Sequence, residues 1–566
     1  MHGTFQGKGS LLNHHLRSAG RMDRDLASRQ QARALLAETR RAYLQMRTFS
    51  QEKVDQICVA AMRAGREAAG SLAAAAVEET GFGSVDGKTA KNEFATRDVW
   101  AAIESMKTCG LVSSDPERGL YEYADPFGVV AAIVPVTNPT STALFKALIC
   151  LKARCGMVAS PHPRAVQCTA SAVETMHRAA VAAGAPEGIL NCMTEVSLEG
   201  TEELMRHDDT DLILATGGSG LVHAAYSSGK PAYGVGPGNS PAYVDRTADL
   251  EAAARAIVSS QTFDNSTICA SEQALVLDRP IRDSFLQSMK ALGAHHCSSH
   301  EAALLGGVCQ SGQGMNPDIV GRYPHEIATM AGFSVPRETT VLLADCPAVG
   351  PSQPLSIEKL APVLAVFTEE GWEAGCHRCI EILEYGGMGH TLVIHCTDDA
   401  IIHEFALKKP VNRILVNSPS AQGAVGLTTN LFPSMTLGCG SFGGNVTSDN
   451  IGPQHLLNIK RLAYLKQESM PTPSLGYGGD CSPPVSMEGE ETLWKPRPSP
   501  KPQNIAAVKE AFTSSELQDI IDRALKSGGD GDCPFGKCAE CPPTGTDCGS
   551  EVRGAVAQAI GARPSR

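Results

Sequence analysis

The chain is predicted to be an α/β protein built on a parallel sheet with helices on both faces, and three observations carry that expectation. Apolar strand-like runs at 128–136, 156–160, 189–193, 212–215 and 232–235 alternate with helix-like segments at 140–153, 165–183, 200–206 and 220–227. The runs are apolar along their length rather than at every second residue, as strands buried on both faces require. Repeated strand-helix-strand units imply parallel neighbours joined by helical crossovers. With 566 residues, the chain exceeds what one core supports and is expected to divide into domains.

In chain order, residues 1–22 hold Lys8, Arg17 and Arg21, three histidines and no acidic side chain. This is loosely like an organelle transit peptide, but a disordered leader is the favoured reading. From residue 23 the pattern turns helical, and Val54, Ile57, Ala61 and Ala68 mark one apolar face over 51–69. The alternating units run on to 240. A second set of helices and strands occupies 241–435, and a glycine-rich stretch at 438–445 opens a return segment over 436–468.

After Tyr464 the composition changes. Residues 469–503 are rich in Pro, Gly and Ser and read as an extended linker. Within 504–527, Ser515 and Gln518 form a capping box, and Leu517, Ile520, Ile521, Ala524 and Leu525 fall on one helical face ahead of Gly528 and Gly529. So short a helix is marginal alone in water, so the segment is expected to fold against a partner; packing back on its own domain is the alternative. The tail, 528–566, carries Cys533, Cys538, Cys541 and Cys548. The first three have spacing found in plant-type iron–sulfur proteins and suited also to zinc. The fourth follows very soon and little apolar sequence shields the group, so a flexible, redox-labile tail is favoured and no metal is assigned.

Composition excludes several classes. The net charge is −12 and no long basic run is present, which argues against nucleic acid, whose phosphates need clustered Lys and Arg. No stretch approaches the roughly 18 apolar residues of a membrane span, and no signal-peptide core follows the N-terminus. Nineteen scattered cysteines suit a reducing compartment. A cytoplasmic protein without a membrane partner is expected.

Cys269 is the cysteine whose surroundings read as a reaction centre. It lies in Phe263-Asp264-Asn265-Ser266-Thr267-Ile268-Cys269-Ala270-Ser271-Glu272-Gln273, between a helix-patterned stretch (250–262) and an apolar strand-like run (274–278). Turns between rigid elements are where nucleophiles sit, and a thiol attacks only as thiolate, which needs amide donors or positive charge nearby. Read alone, the residue is better taken as a small buried hydrophobe in a core turn, as most cysteines are.

Six further strings join it: Pro135-Val136-Thr137-Asn138-Pro139, Ser160-Pro161-His162-Pro163-Arg164, Thr216-Gly217-Gly218-Ser219-Gly220, Gly234-Val235-Gly236-Pro237-Gly238-Asn239, Glu358-Lys359-Leu360-Ala361-Pro362-Val363 and Thr436-Leu437-Gly438-Cys439-Gly440. Each alone is weak. In this order and spacing, residues 98–465 resemble the CoA-acylating branch of the aldehyde dehydrogenase superfamily, the branch of acetaldehyde and propionaldehyde dehydrogenases and of the aldehyde-oxidising half of bifunctional alcohol/aldehyde dehydrogenases.

The resemblance implies a Rossmann-type NAD-binding domain over 23–240, an α/β catalytic domain over 241–435 and an oligomerisation element over 436–468. It makes Cys269 the nucleophile and Asn138, with the backbone N–H of Cys269, the donors to the oxyanion of a thiohemiacetal. Thr216, Gly217, Gly218 and Ser219 match the phosphate region of the NAD site, where the Gly-x-Gly-x-x-Gly fingerprint is absent. Ser160 and His162 match the adenosine-ribose contacts, Glu358 the nicotinamide-ribose carboxylate, and Gly236 and Gly238 belong to the cofactor-facing run.

Hydrolytic relatives carry a water-activating glutamate in a Glu-Leu-Gly-Gly string, whereas the equivalent run 234–239 has no carboxylate. Coenzyme A is therefore the expected acceptor and a short-chain aldehyde the expected substrate. A hydrolytic dehydrogenase is the runner-up, and a metal-binding or scaffold role of the tail is an alternative of another class. The linker-like sequence after Tyr464 predicts no alcohol dehydrogenase domain. A homo-oligomer, dimer or tetramer, is implied. The helix at 515–527 resembles encapsulation peptides that dock enzymes to the shell of a bacterial microcompartment.

Overall fold

The computed structural model describes residues 23–466 except Gln313. The expected leader, linker, docking helix and cysteine tail lie outside the described residues.

The opening helices are α1 (Arg24–Met46), α2 (Gln51–Glu67), α3 (Ala69–Thr80) and α4 (Val85–Glu93). In α2, Val54, Ile57 and Ala61 are fully buried, as their shared face requires, and Ala68 caps the helix end. Next come strands β1 (Gly110–Asp115) and β2 (Leu120–Pro126), then β3 (Val129–Val134), α5 (Pro139–Lys152), β4 (Gly156–Pro161), α6 (Val166–Ala182), β5 (Leu190–Cys192), α7 (Leu198–Arg206), β6 (Leu212–Thr216), α8 (Ser219–Tyr226) and β7 (Ala232–Val235).

Strands β3 to β7 form one parallel sheet in the order β5-β4-β3-β6-β7. Every residue of β3 and β4 is buried, which explains the uninterrupted apolar runs. Helices α1 and α7 pack together on one face, and α5 and α6, backed by α2, on the other. The chain leaves β3 first toward β4 and β5, then returns to β6 and β7. The order thus reverses between β3 and β6, and the crevice at the carboxyl ends of two such strands is where doubly wound sheets bind ligands. Lys146, buried on α5, spans this point by donating to the carbonyls of Ile133 (2.7 Å) and Leu214 (2.8 Å).

The second half contributes β8 (Ser240–Val244), α9 (Leu250–Thr262), β9 (Glu272–Asp278), α10 (Arg282–Ala291), β10 (His295–His296), α11 (Ser299–Cys309), the short pair β11 (Gln310–Ser311) and β12 (Gly314–Met315), and α12 (Pro324–Ala331). After these come β13 (Leu342–Asp345), β14 (Val363–Glu369), α13 (Gly371–Gly386), β15 (Gly389–His395), α14 (Asp399–Leu407) and β16 (Val411–Val416). Its seven-stranded sheet is also parallel, in the order β10-β13-β14-β9-β8-β15-β16. Last, β17 (Leu457–Ala463) pairs antiparallel with β2, which pairs with β1, tying the return segment to the first half. Among the described residues no helix is long and apolar enough to cross a membrane.

Candidate active site

Cys269 stands on the loop between α9 and β9, and its approach is strained. Asp264, Asn265 and Ser266 all hold left-handed backbone, with φ of 51°, 50° and 60°. Non-glycine residues reach that region at a cost of order 1–3 kcal/mol each, so the surroundings must impose it. They do so through buried polar anchors. Asp264 accepts from the Lys91 ammonium at 2.6 Å, from Lys88 at 3.1 Å and from the Ser84 amide at 2.7 Å. Asn265 donates to the Gly321 carbonyl (3.0 Å), and Ser266 to that of Gln261 (2.9 Å). Burial works against charge on Asp264, but Lys91 and Lys88 overcome it and hold the carboxyl below its ordinary range.

Asn138 ends the loop after β3, next to Pro139 at the start of α5, yet its side chain does not cap that helix. Instead Oδ1 accepts from Lys91 Nζ at 2.6 Å, and Nδ2 lies 3.1 Å from the Thr267 carbonyl and 3.1 Å from the Thr137 hydroxyl. The ammonium can bond only the amide oxygen, so the orientation is fixed with the NH2 group toward the cysteine loop. Lys91 also bonds Thr267 Oγ1 at 2.8 Å, and Lys88 the Thr137 carbonyl at 2.9 Å. Residues on one face of α4 therefore fix both sides of the expected oxyanion site.

A cavity of about 520 Å³ opens over Cys269, lined by Asn138, Ser160, His162, Thr216, Gly217, Gly218, Gly236, Cys269 itself and Glu358. Nine sequence-selected residues thus converge on one space. Ser219 begins α8 and Gly238 lies behind the wall, where its amide donates to Glu358 Oε1 at 3.0 Å. A side chain at Gly238 would collide with the Cys269 carbonyl. Ser160 is buried with its hydroxyl 2.9 Å from Thr201, and His162 is exposed with Nδ1 accepting the Arg164 amide.

The residues fit a dinucleotide. The hydroxyl of Thr216 is buried without a hydrogen-bond partner among the described residues, and open space faces Gly218 and Gly236. The first turn of α8 has no side-chain cap, leaving its amides to receive a phosphate.

Sequence reading missed His390. It sits on β15 with Nε2 3.1 Å from Cys269 Sγ and Nδ1 2.9 Å from the Thr391 hydroxyl. Burial, reinforced by Arg413, lowers its pKa to about 3, so the ring is neutral at physiological pH. Burial and then Glu358 push the Cys269 thiol up to about 12. The resting pair is therefore thiol and imidazole, and a proton leaving sulfur has an acceptor in place. The preceding Gly389 has φ of 77°, and a side chain there would strike the Cys439 carbonyl. The run Gly386-Gly387-Met388-Gly389-His390 was the available signal.

A sequence model of the Aldehyde dehydrogenase family matches residues 20–298. An acetylating aldehyde dehydrogenase from Geobacillus thermoglucosidasius has a crystal structure that is 46% identical, with TM-score 0.79, covering 80% of this chain and 100% of that one. The chain belongs to the aldehyde dehydrogenase family. The bifunctional aldehyde-alcohol dehydrogenase of Escherichia coli K12 is 42% identical over 435 residues, 76% of this chain. The chain spans 49% of that relative's length. A propionaldehyde dehydrogenase from Rhodopseudomonas palustris, solved with bound CoA and an acylated cysteine, is 27% identical with TM-score 0.68, covering 76% of this chain and 97% of that one.

Within the family frame, Glu358 is the one cavity carboxylate that the six strings supplied. Burial raises its pKa to about 8, against the opposing pull of the Gly238 amide and of Lys359.

Proposed function

We propose that the chain is a CoA-acylating aldehyde dehydrogenase that converts a short-chain aldehyde to its acyl-CoA through covalent intermediates on Cys269. The observation that carries this reading is the contact of Cys269 with neutral His390 in a cavity where the run 234–239 offers no carboxylate to activate water.

As Cys269 Sγ bonds to the aldehyde carbon, its proton passes to His390 Nε2 and the carbonyl oxygen becomes an oxyanion. Asn138 Nδ2 and the Cys269 amide are the donors to that oxygen. When bound along Thr216 to Gly218 and at Gly236, an oxidised nicotinamide dinucleotide, NAD by family resemblance, supplies the hydride acceptor. Once the hydride has left, His390 gives its proton up to solvent; the thioester held by Cys269 then meets the CoA thiol, whose proton His390 accepts and returns to the departing Cys269 sulfur, so that sulfur-to-sulfur acyl transfer restores the free thiol. The structures and names of the relatives support this sequence of events: one carries CoA and an acylated cysteine, and another is named acetylating. Assaying NADH formation over an aldehyde panel with and without CoA tests the reading and finds the substrate.

A homo-oligomer is supported by the exposed Leu111, Tyr123, Leu462 and Tyr464 around the β1-β2-β17 sheet. Attachment to a microcompartment shell through 515–527 is supported by the apolar stripe Leu517, Ile520, Ile521 and Leu525.

A further inference from the structure

We propose that Cys376 and Lys409 form a covalent cross-link in which one oxygen atom joins the cysteine sulfur to the lysine nitrogen. The two side chains meet away from the active-site cavity, between α13 and the turn that follows α14. Lys409 Nζ lies 2.6 Å from Cys376 Sγ. That is well inside the separation of a nitrogen and a sulfur in ordinary van der Waals contact. It is the span set by two single bonds meeting at a bridging oxygen with a near-tetrahedral angle.

The surroundings support the same assignment. Lys409 is 5% exposed and Cys376 3% exposed. The partners of Nζ among the described residues are Cys376 itself, through its carbonyl at 2.7 Å and its sulfur, and the face of Phe405 at 3.8 Å. No carboxylate pairs with this buried nitrogen among the described residues; Lys146 and Lys359 are likewise buried without one, but they reach two and three backbone carbonyls, whereas Lys409 reaches one carbonyl and the Cys376 sulfur. A buried nitrogen left short of hydrogen-bond acceptors is costly, and a covalent bridge removes that deficit.

The step balances with dioxygen as oxidant. Cys376–SH, the neutral amine of Lys409 and O2 give Cys376–S–O–NH–Lys409 and one water. The S–H bond and one N–H bond break, and S–O and O–N bonds form. Sulfur and nitrogen together lose four electrons, which O2 takes up; one oxygen atom enters the bridge and the other leaves as water with the two hydrogens. Dioxygen is small and apolar enough to enter a closed interior where larger oxidants do not fit. The bridge lies beside the edge of the catalytic sheet, where the Gly389 amide, next to His390, bonds the Pro410 carbonyl at 2.7 Å.

Peptide mapping of the intact protein tests this. Arg378 separates Cys376 from Cys379, so trypsin places the two thiols on different peptides. After incubation in air-saturated buffer and alkylation under denaturing, non-reducing conditions, a cross-linked species should appear. It should weigh about 14 Da more than the two peptides together, one oxygen gained and two hydrogens lost. It should vanish with dithiothreitol, returning an alkylatable Cys376, and be absent from Lys409→Arg and Cys376→Ser. The inference is overturned if the wild-type protein yields only free Cys376, a directly bonded S–N product without oxygen, or a bridge that survives in Lys409→Arg. Because the wild-type protein gives the decisive reading, misfolding of a variant leaves the outcome intact.

Discussion

Lys91 Nζ donates to Asn138 Oδ1 at 2.6 Å while holding Asp264 at the same distance, so one buried ammonium orients the proposed oxyanion donor and anchors the loop of Cys269, the proposed nucleophile. Lys91→Met should therefore lower kcat, by up to about 100-fold, as expected when a small misplacement loosens a preorganised site. The KM for the dinucleotide should change little, because its contacts lie on other loops. Steady-state kinetics on folded variant decides: a near-native kcat would reduce Lys91 to a structural group.

Asn138→Ala removes the side-chain donor itself. The loss of one such donor costs about 100- to 1,000-fold in rate, or roughly 3 to 4 kcal/mol. The drop should fall on thiohemiacetal formation and hydride release, with dinucleotide affinity retained. Stopped-flow and binding measurements separate these, and native turnover would make Asn138 a turn residue.

Stability should fall in acid because of His390. Its pKa is lowered from 6.5 to about 3 in the folded protein. Above pH 6.5 the ring is neutral in both states and its contribution is fully present. Between 6.5 and about 3 the unfolded chain takes up a proton that the folded chain refuses, costing up to about 1.4 kcal/mol per pH unit. His395, lowered by burial to about 4, adds to the same limb. Denaturant titrations should show a shallower acid limb for His390→Gln; an unchanged slope contradicts the assignment.

The proposed shell attachment through residues 515–527 yields a separate prediction. Truncation after residue 468 should leave the kinetics nearly unchanged, while residues 503–527 fused to a fluorescent protein should carry it into shells. Burying each apolar side chain of the stripe is worth roughly 1.5 to 3 kcal/mol before ordering costs. A diffuse fusion, or an unfolded truncation, ends that proposal.

Fold class was legible because β3, β4 and nearly all of β6 are buried on both faces and so are written as apolar runs, and the strings around Cys269, Asn138 and Glu358 marked the cavity. The antiparallel arm was not legible: β1 reads Gly-Leu-Val-Ser-Ser-Asp and faces solvent over much of its length, so it lacks the continuous apolar signature. Lys88 and Lys91 were missed for a related reason. Two lysines three apart on a helix look like a solvated face, and only the fold brings Asp264, distant in sequence, against them. His390 was hidden likewise, since its partner Cys269 is 121 residues away.

The most direct test of Cys269 as acyl carrier is a burst experiment without CoA. Enzyme mixed with aldehyde and NAD should release at most one NADH per active site and leave an acyl group on the Cys269 peptide, visible by mass spectrometry, which added CoA discharges as acyl-CoA. Cys269→Ala should show neither burst nor acylation. Continuous carboxylate production without CoA, or an acyl group on another residue, would contradict the account.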